Sequence, residues 1–258
     1  MKIASLGSGS KGNATLVQSD DTLVMVDCGF SMRETLARLA RLGADPAEIT
    51  AILVTHEHGD HVRGVLPLAR RLGVPVYLSH GTGRALAERE RFDTRGVVLH
   101  EVRPGRALTV GALTVTPVPV PHDAREPCQY VFDDQRRNVG VLTDLGTITS
   151  HVVQAYGACD ALVLECNHDR DMLAMGHYPM SLKRRVGGQW GHLNNRQAGE
   201  LVTEMDQGRL QHLVLSHLSE DNNTPEHALA AMAEAGFDDM QRLRVASQGD
   251  GFPWLLVE

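Results

Sequence analysis

Thr55-His56-Glu57-His58-Gly59-Asp60-His61 packs three histidines and two carboxylates into seven residues. It directly follows Ala51-Ile52-Leu53-Val54, a short apolar run that reads as a buried strand. In extended backbone, side chains two apart point the same way, so His56 and His58 can reach one ion. Asp60 and His61 fall at the turn into the next helix and can face a second ion beside the first. Histidine occupies 13 of 258 positions, so three at these offsets seldom coincide by accident. Imidazoles at the mouth of an apolar strand are costly unless something satisfies them. Imidazole and carboxylate without thiolate suit Zn²⁺, Mn²⁺ or Fe²⁺. The run therefore predicts a site for two divalent metal ions.

Two ions need further ligands, and three residues elsewhere stand at the ends of apolar runs. They are His122 in Val120-Pro121-His122-Asp123, Asp144 after Val139–Thr143, and His217 after Leu213–Ser216. Loops that follow parallel strands gather on one edge of a sheet. Together the three residues would complete two coordination shells, with Asp144 a natural bridging carboxylate.

Upstream, Gly7-Ser8-Gly9-Ser10-Lys11-Gly12 spells G-x-G-x-x-G after a strand. A dinucleotide fingerprint needs a helix directly after the glycines to hold the pyrophosphate. Here Ala14–Gln18 continues as a strand, and Lys11 precedes Gly12 rather than following it, so neither a nucleotide fold nor a Walker loop is expected. A loop lining a site, with Ser10, Lys11 or Asn13 near an anion, is the reading that remains.

Working outward, period-two runs predict strands at Lys2–Leu6, Ala14–Gln18, Thr22–Asp27, Val74–Leu78, Leu113–Val118, Gln129–Phe132, Val139–Thr143, Ala161–Glu165 and His212–Ser216. Helical spacing and stop signals predict helices at Met32–Leu42, Val62–Leu72, Gly83–Arg91, Thr149–Tyr156, Asn195–Met205 and Pro225–Ala235. Strand-rich stretches with hairpin signals, interrupted by single helices, suggest two packed mixed sheets with helices outside, four layers in all. With no repeat, linker or low-complexity tract, residues 1–258 are expected to form a single domain.

The composition is that of an ordinary globular protein, at 42% hydrophobic and 22% charged. Only 4% of residues are aromatic, so the core must be aliphatic. No apolar run approaches the roughly 20 residues that span a bilayer, and the apolar start is too short for a signal peptide. A cytoplasmic protein is expected. Cys28, Cys128, Cys159 and Cys166 form no CxxC pair and are expected as buried reduced thiols. A net charge of −7 argues against a generally electrostatic nucleic-acid binder. Two divalent ions, however, would restore about four positive charges at one spot.

With these residues in view, the chain resembles the metallo-β-lactamase superfamily. Its signature is His56-x-His58-x-Asp60-His61, and His122, Asp144 and His217 stand in the order of its remaining ligands. Asp27 matches the acidic residue at the end of an early strand that supports the ligand loop. The resemblance implies an α+β fold, an αββα four-layer sandwich with metals at one edge between two sheets. His58, where flavo-diiron relatives carry Glu, argues against redox iron chemistry. Asp144, where zinc β-lactamases carry a thiolate, argues against antibiotic hydrolysis.

A narrower resemblance is to the YycJ-type, exonuclease-like branch, which acts on DNA 5′ ends. Its marks are Ser8-Gly9-Ser10-x-Gly12-Asn13, Glu165-x-Asn167-His168-Asp169, Tyr178-Pro179-x-x-Leu182-Lys183-x-Arg185 and Gly191-His192-Leu193-x-Asn195. His192 also resembles the histidine of the His-Ser-Thr turn in tRNA 3′-processing nucleases, although Leu193 and Asn194 replace its hydroxyls.

The resemblance implies in-line attack on phosphorus by a metal-bridging hydroxide, since bound metals lower the pKa of water to roughly 7. Asp60 would orient that nucleophile. His192, or in second place His168, would stabilise the phosphate or protonate the leaving oxygen. Lys183 and Arg185, with Asn167 and Asn195, are the candidate DNA contacts. The short basic run also fits a solvated helix face. Two alternatives use the same ligands: a hydrolase of small esters, lactones or thioesters, and a metal-bound regulatory protein with little turnover.

Overall fold

Strand order explains how the distant motifs meet. The computed structural model describes residues 1–89 and 92–258. The first sheet contains β1 (Lys2–Gly7), β2 (Ala14–Ser19), β3 (Thr22–Val26), β4 (Ile49–Leu53), β5 (Val76–Ser79) and β6 (Leu99–Val102). The second contains β7 (Leu108–Val110), β8 (Leu113–Pro119), β9 (Cys128–Asp133), β10 (Asn138–Leu142), β11 (Ala161–Glu165), β12 (His212–Ser216) and β13 (Leu243–Val245). The last strand, β14 (Phe252–Leu256), returns to the first sheet and pairs antiparallel with β1. The orders are β14-β1-β2-β3-β4-β5-β6 and β13-β12-β11-β10-β9-β8-β7. In each sheet an antiparallel half joins a parallel half, β3 to β6 in one and β10 to β13 in the other.

Alternation within the strands builds the layers. Val24, Val26, Ala51 and Leu53 of the first sheet meet Val139, Val141, Ala161 and Val163 of the second in one buried cluster. The alternate residues face outward. Leu23, Met25 and Ile52 pack under α1 (Met32–Leu42), α2 (Gly59–Val62), α3 (Val65–Leu72) and α4 (His80–Ala87). Leu162, Leu164, Leu213 and Leu215 pack under α5 (Ser150–Tyr156) and, beyond α6 (Arg170–Met175) and α7 (Met180–Val186), under α8 (Asn195–Thr203) and α9 (Pro225–Glu234). The result is the αββα sandwich. Aliphatic side chains supply most of the three clusters, as the low aromatic content requires.

Several boundaries differ from expectation for local reasons. The helix expected over Val62–Leu72 divides at Gly64, whose N–H donates to Cys28 O and whose added Cβ would lie 2.2 Å from Phe30 O. The helix expected over Gly83–Arg91 starts earlier, because Ser79 caps it by accepting from Thr82 N. Its expected last residue, Arg91, lies outside the described residues, as does Glu90. Four short strands, β6, β7, β13 and β14, and helices α6 and α7 were not anticipated. α7 has no buried residue and β13 spans only three positions, so neither carries a strong period. Among the described residues no helix is long and apolar enough to cross a membrane. All four cysteines are free and buried.

Candidate metal centre

The site lies where the parallel halves of both sheets end. Register aligns the second sheet: Leu142 pairs with Leu164, and Glu165 with Ser216. Asp144 and His217, just past these strands, therefore emerge level with each other, one residue beyond Glu165. In the first sheet Val26 pairs with Leu53, so Asp27 sits beside Thr55, and Asp27 N donates to Leu53 O at 2.8 Å. Asp27, Asp144 and His217 adopt left-handed φ values of 60°, 55° and 55°. Non-glycine residues enter that region at a cost and cluster at functional sites, where surrounding contacts hold them.

Two donor clusters adjoin. Ligand atoms of His56, His58 and His122 lie within 4.8 Å of one another, as do those of Asp60, His61 and His217. Asp144 connects them, grouping with His56 and His61 and also with Glu165, His192 and His217. All seven candidate ligands named from the sequence are thus brought together. Most histidines present one nitrogen because the other is fixed. His61 Nδ1 donates to Asp27 at 2.7 Å, and Asp27 is itself held by Thr55 N and Oγ1. His122 Nδ1 donates to Gly191 O at 2.9 Å, and His217 Nδ1 to Glu165 at 3.0 Å. Such partners set the tautomer and the ring orientation of a metal-binding histidine.

The inward atoms pass a test of fit. His56 Nε2, His217 Nε2 and Asp144 Oδ2 are buried and lack a hydrogen-bond partner. Buried polar atoms without partners are rare and costly, and a divalent cation would satisfy all three at once. Asp144 Oδ2 does lie 3.0 Å from His61 Nε2, but as a close charge contact only.

The electrostatics of the protein alone follow from burial and crowding. Burial opposes charge on His61, but Asp144 and Asp27 outweigh it and hold the pKa well above the imidazole range. For His217 burial is likewise outweighed, by Asp144, Asp60 and Glu165, which push it up to about 9. For His56 burial and the neighbouring histidines outweigh the attraction of Asp144 and hold the pKa well below the imidazole range. Asp60 resists burial through contacts with His217 and His61 and stays ionised far below the usual carboxylate range.

Glu165, one residue of a branch motif in the sequence, organises the second sheet's side of the site. One oxygen accepts from His192 Nδ1 at 2.8 Å and His217 Nδ1 at 3.0 Å. The other accepts from the N–H groups of Leu145 and Leu193. Its full burial resists ionisation, but His192 and His217 hold its pKa down to about 2. Against burial, the same contact and Asp144 push His192 up to about 10. Its position at the end of an apolar strand was the available signal.

The glycine-rich loop also belongs here. Asn13 Nδ2 lies 3.1 Å from His61 Nε2, and Ser8 Oγ accepts from His217 N. Ser10 lines the cleft, whereas Lys11 pairs with Glu220 outside it. Gly29 lets this loop approach the histidine run, since a Cβ there would sit 1.6 Å from Asp60 O.

A cleft of about 390 Å³ opens over the clusters, lined by His58, Asp60, Asp144, His192 and His217, with Arg89, Tyr178 and Arg185 at its walls. Arg185 donates to Asp123 at 2.6 Å. None of the other candidate contacts lines the cleft. Lys183 donates to Ala174 O, and Asn195 is buried in a reciprocal pair with Asn223. Asn167 is buried and donates to His217 O. His168 is buried near Gly187, and burial lowers its pKa to about 4. Arg89 was not anticipated from the sequence.

A family model described as the beta-lactamase superfamily domain matches residues 22–218. Exodeoxyribonuclease YycJ of Bacillus anthracis is 35% identical over 230 residues, 89% of this chain and 86% of its own length. Exodeoxyribonuclease WalJ of Streptococcus pneumoniae is 32% identical over 234 residues, 90% of this chain and 86% of its own. The metallo-β-lactamase fold protein YhfI from Bacillus subtilis superposes with a TM-score of 0.75 at 21% identity, covering 98% of both chains, a likeness of fold. The chain belongs to the metallo-β-lactamase superfamily and, within it, to the family of the YycJ and WalJ proteins.

Proposed function

We propose that this protein is a two-metal exonuclease that hydrolyses phosphodiesters at the 5′ end of DNA. The observation supporting this reading is the pair of adjoining donor clusters beneath a cleft that carries His192 and two arginines. Similarity to two exodeoxyribonucleases over most of the chain supports the substrate class. His56, His58 and His122 would hold one ion, Asp60, His61 and His217 the other, with Asp144 between them. Divalent ions such as Zn²⁺ or Mn²⁺ supply Lewis acidity at phosphoryl oxygens and lower the pKa of water toward neutrality.

The side chains have distinct tasks. Asp60, ionised and partly open to the cleft, would accept a hydrogen bond from the attacking water and so orient it. His192 engages Glu165 through Nδ1, stays protonated, and donates from Nε2 to the leaving oxygen. Arg89 and Arg185 flank the strand's phosphates. His168, neutral and buried, supports the wall. The buried free thiols support a reducing, cytoplasmic setting.

Metal analysis combined with a time course on 5′- and 3′-labelled single- and double-stranded DNA tests this reading. Two ions per chain and metal-dependent release from the 5′ label are expected. Turnover of lactones or thioesters with DNA left intact would overturn it in favour of carbonyl chemistry.

A further inference from the structure

Three of the seven exposed large apolar side chains among the described residues fall between 175 and 190: Met175, Met180 and Trp190. Trp190 is 63% exposed, although the chain contains only one other tryptophan, Trp254. Its neighbours on both sides are fixed. Gln189 O accepts from Thr147, Gly191 O accepts from His122, and His192 is anchored to Glu165. Gly191 must be glycine at this crossing, because a Cβ would lie 2.2 Å from Arg185 O and Val186 O. A fixed backbone therefore carries an exposed indole next in the chain to Gly191 and His192, which line the cleft, with the indole itself outside that lining.

Resting on the nuclease reading above, we propose that Trp190 is the stacking platform for the nucleobase next to the cleaved phosphodiester. Arg89 brings positive charge to the cleft wall, Arg185 stands there paired with Asp123 at 2.6 Å, and the clustered donors occupy the cleft floor. An aromatic face beside such a charged groove is how single strands are held without sequence preference. Every base has a π-face, so one tryptophan suits an enzyme that digests any sequence. On a duplex, stacking would hold the terminal nucleotide away from its pairing partner.

The test compares wild type, Trp190→Ala and Trp190→Phe on labelled oligonucleotides whose terminal nucleotide carries either a base or an abasic tetrahydrofuran. Alanine should raise KM on the base-bearing strand by roughly 5- to 100-fold, leave kcat within about twofold, and leave the abasic strand unaffected. Phenylalanine should restore most of the loss. In a Trp254→Phe background, a nuclease-resistant phosphorothioate oligothymidylate should quench the remaining fluorescence. Equal losses on base-bearing and abasic strands, or no loss on either, would overturn the proposal while the nuclease reading stands. A dimer in sedimentation that dissociates in Trp190→Ala would reassign the indole to a contact between copies and overturn it too. If wild type cleaves neither strand with any metal, the nuclease reading itself falls, and the stacking role with it.

Discussion

Glu165 shows how much a single buried carboxylate organises. Two imidazoles and two backbone amides converge on its two oxygens. Glutamine keeps the size but offers only one acceptor oxygen and adds an N–H₂ facing donors. Glu165→Gln should weaken metal binding by ~10- to 100-fold, the usual range for losing such an orienting partner, as read by chelator competition. His192→Ala should lower turnover by at least ~100-fold with metal content near wild type, and loss of the ions would reassign His192 to the ligand set.

Protonation of the site makes a separate prediction. Outweighing its burial, Asp144, Asp60 and Glu165 keep His217 protonated up to about pH 9, above the 6.5 of a free imidazole. An ion must displace that proton, so binding releases protons and strengthens as pH rises. Apparent metal affinity should climb as pH rises toward about 9. A flat profile by titration calorimetry would exclude proton-coupled binding.

Among the elements, the strand ends and the loops between them decide the geometry. The left-handed backbones at Asp27, Asp144 and His217 turn the chain sharply as each strand stops, and Ser8 Oγ helps secure the last. Gly29 allows the loop after β3 to touch the histidine run. Gly29→Ala would force these segments apart at an overpacking cost of about 1–3 kcal/mol. The variant should show a lowered thermal midpoint and reduced metal content together. At the start of α8, Asn194 and Gln197 form a capping box behind His192. Asn194→Ala should cost about 1 kcal/mol with little change in metal content, measured by denaturant unfolding.

At the scale of the whole molecule, the donors come from both sheets, so an ion at the centre joins the two halves of the sandwich. A ligand that binds only the folded state stabilises it by mass action, about 4 kcal/mol at a thousandfold excess over Kd. Chelation should therefore lower the unfolding temperature by several degrees, and Zn²⁺ or Mn²⁺ should restore it in differential scanning calorimetry. No change on chelation would mean that the clusters hold no ion.

The sequence by itself determined the alternation that makes two sheets and the aliphatic filling between and around them. It also made the histidine run recognisable, because local spacing on an extended backbone already places His56 and His58 on one side. His122, Asp144 and His217 were legible only as polar residues ending apolar strands. Parallel register and strand order, which depend on pairing across the whole chain, decided that they meet. Burial separated the candidates further: Asn167 and Asn195 turn inward to hydrogen-bonding partners, while Arg185 stays at the cleft. Arg89 and Trp190 carry no local pattern of their own, and Glu165 shows only its place at the end of an apolar strand. Their surroundings come from segments distant in the chain, and only the tertiary structure brings those segments to one edge of the sandwich.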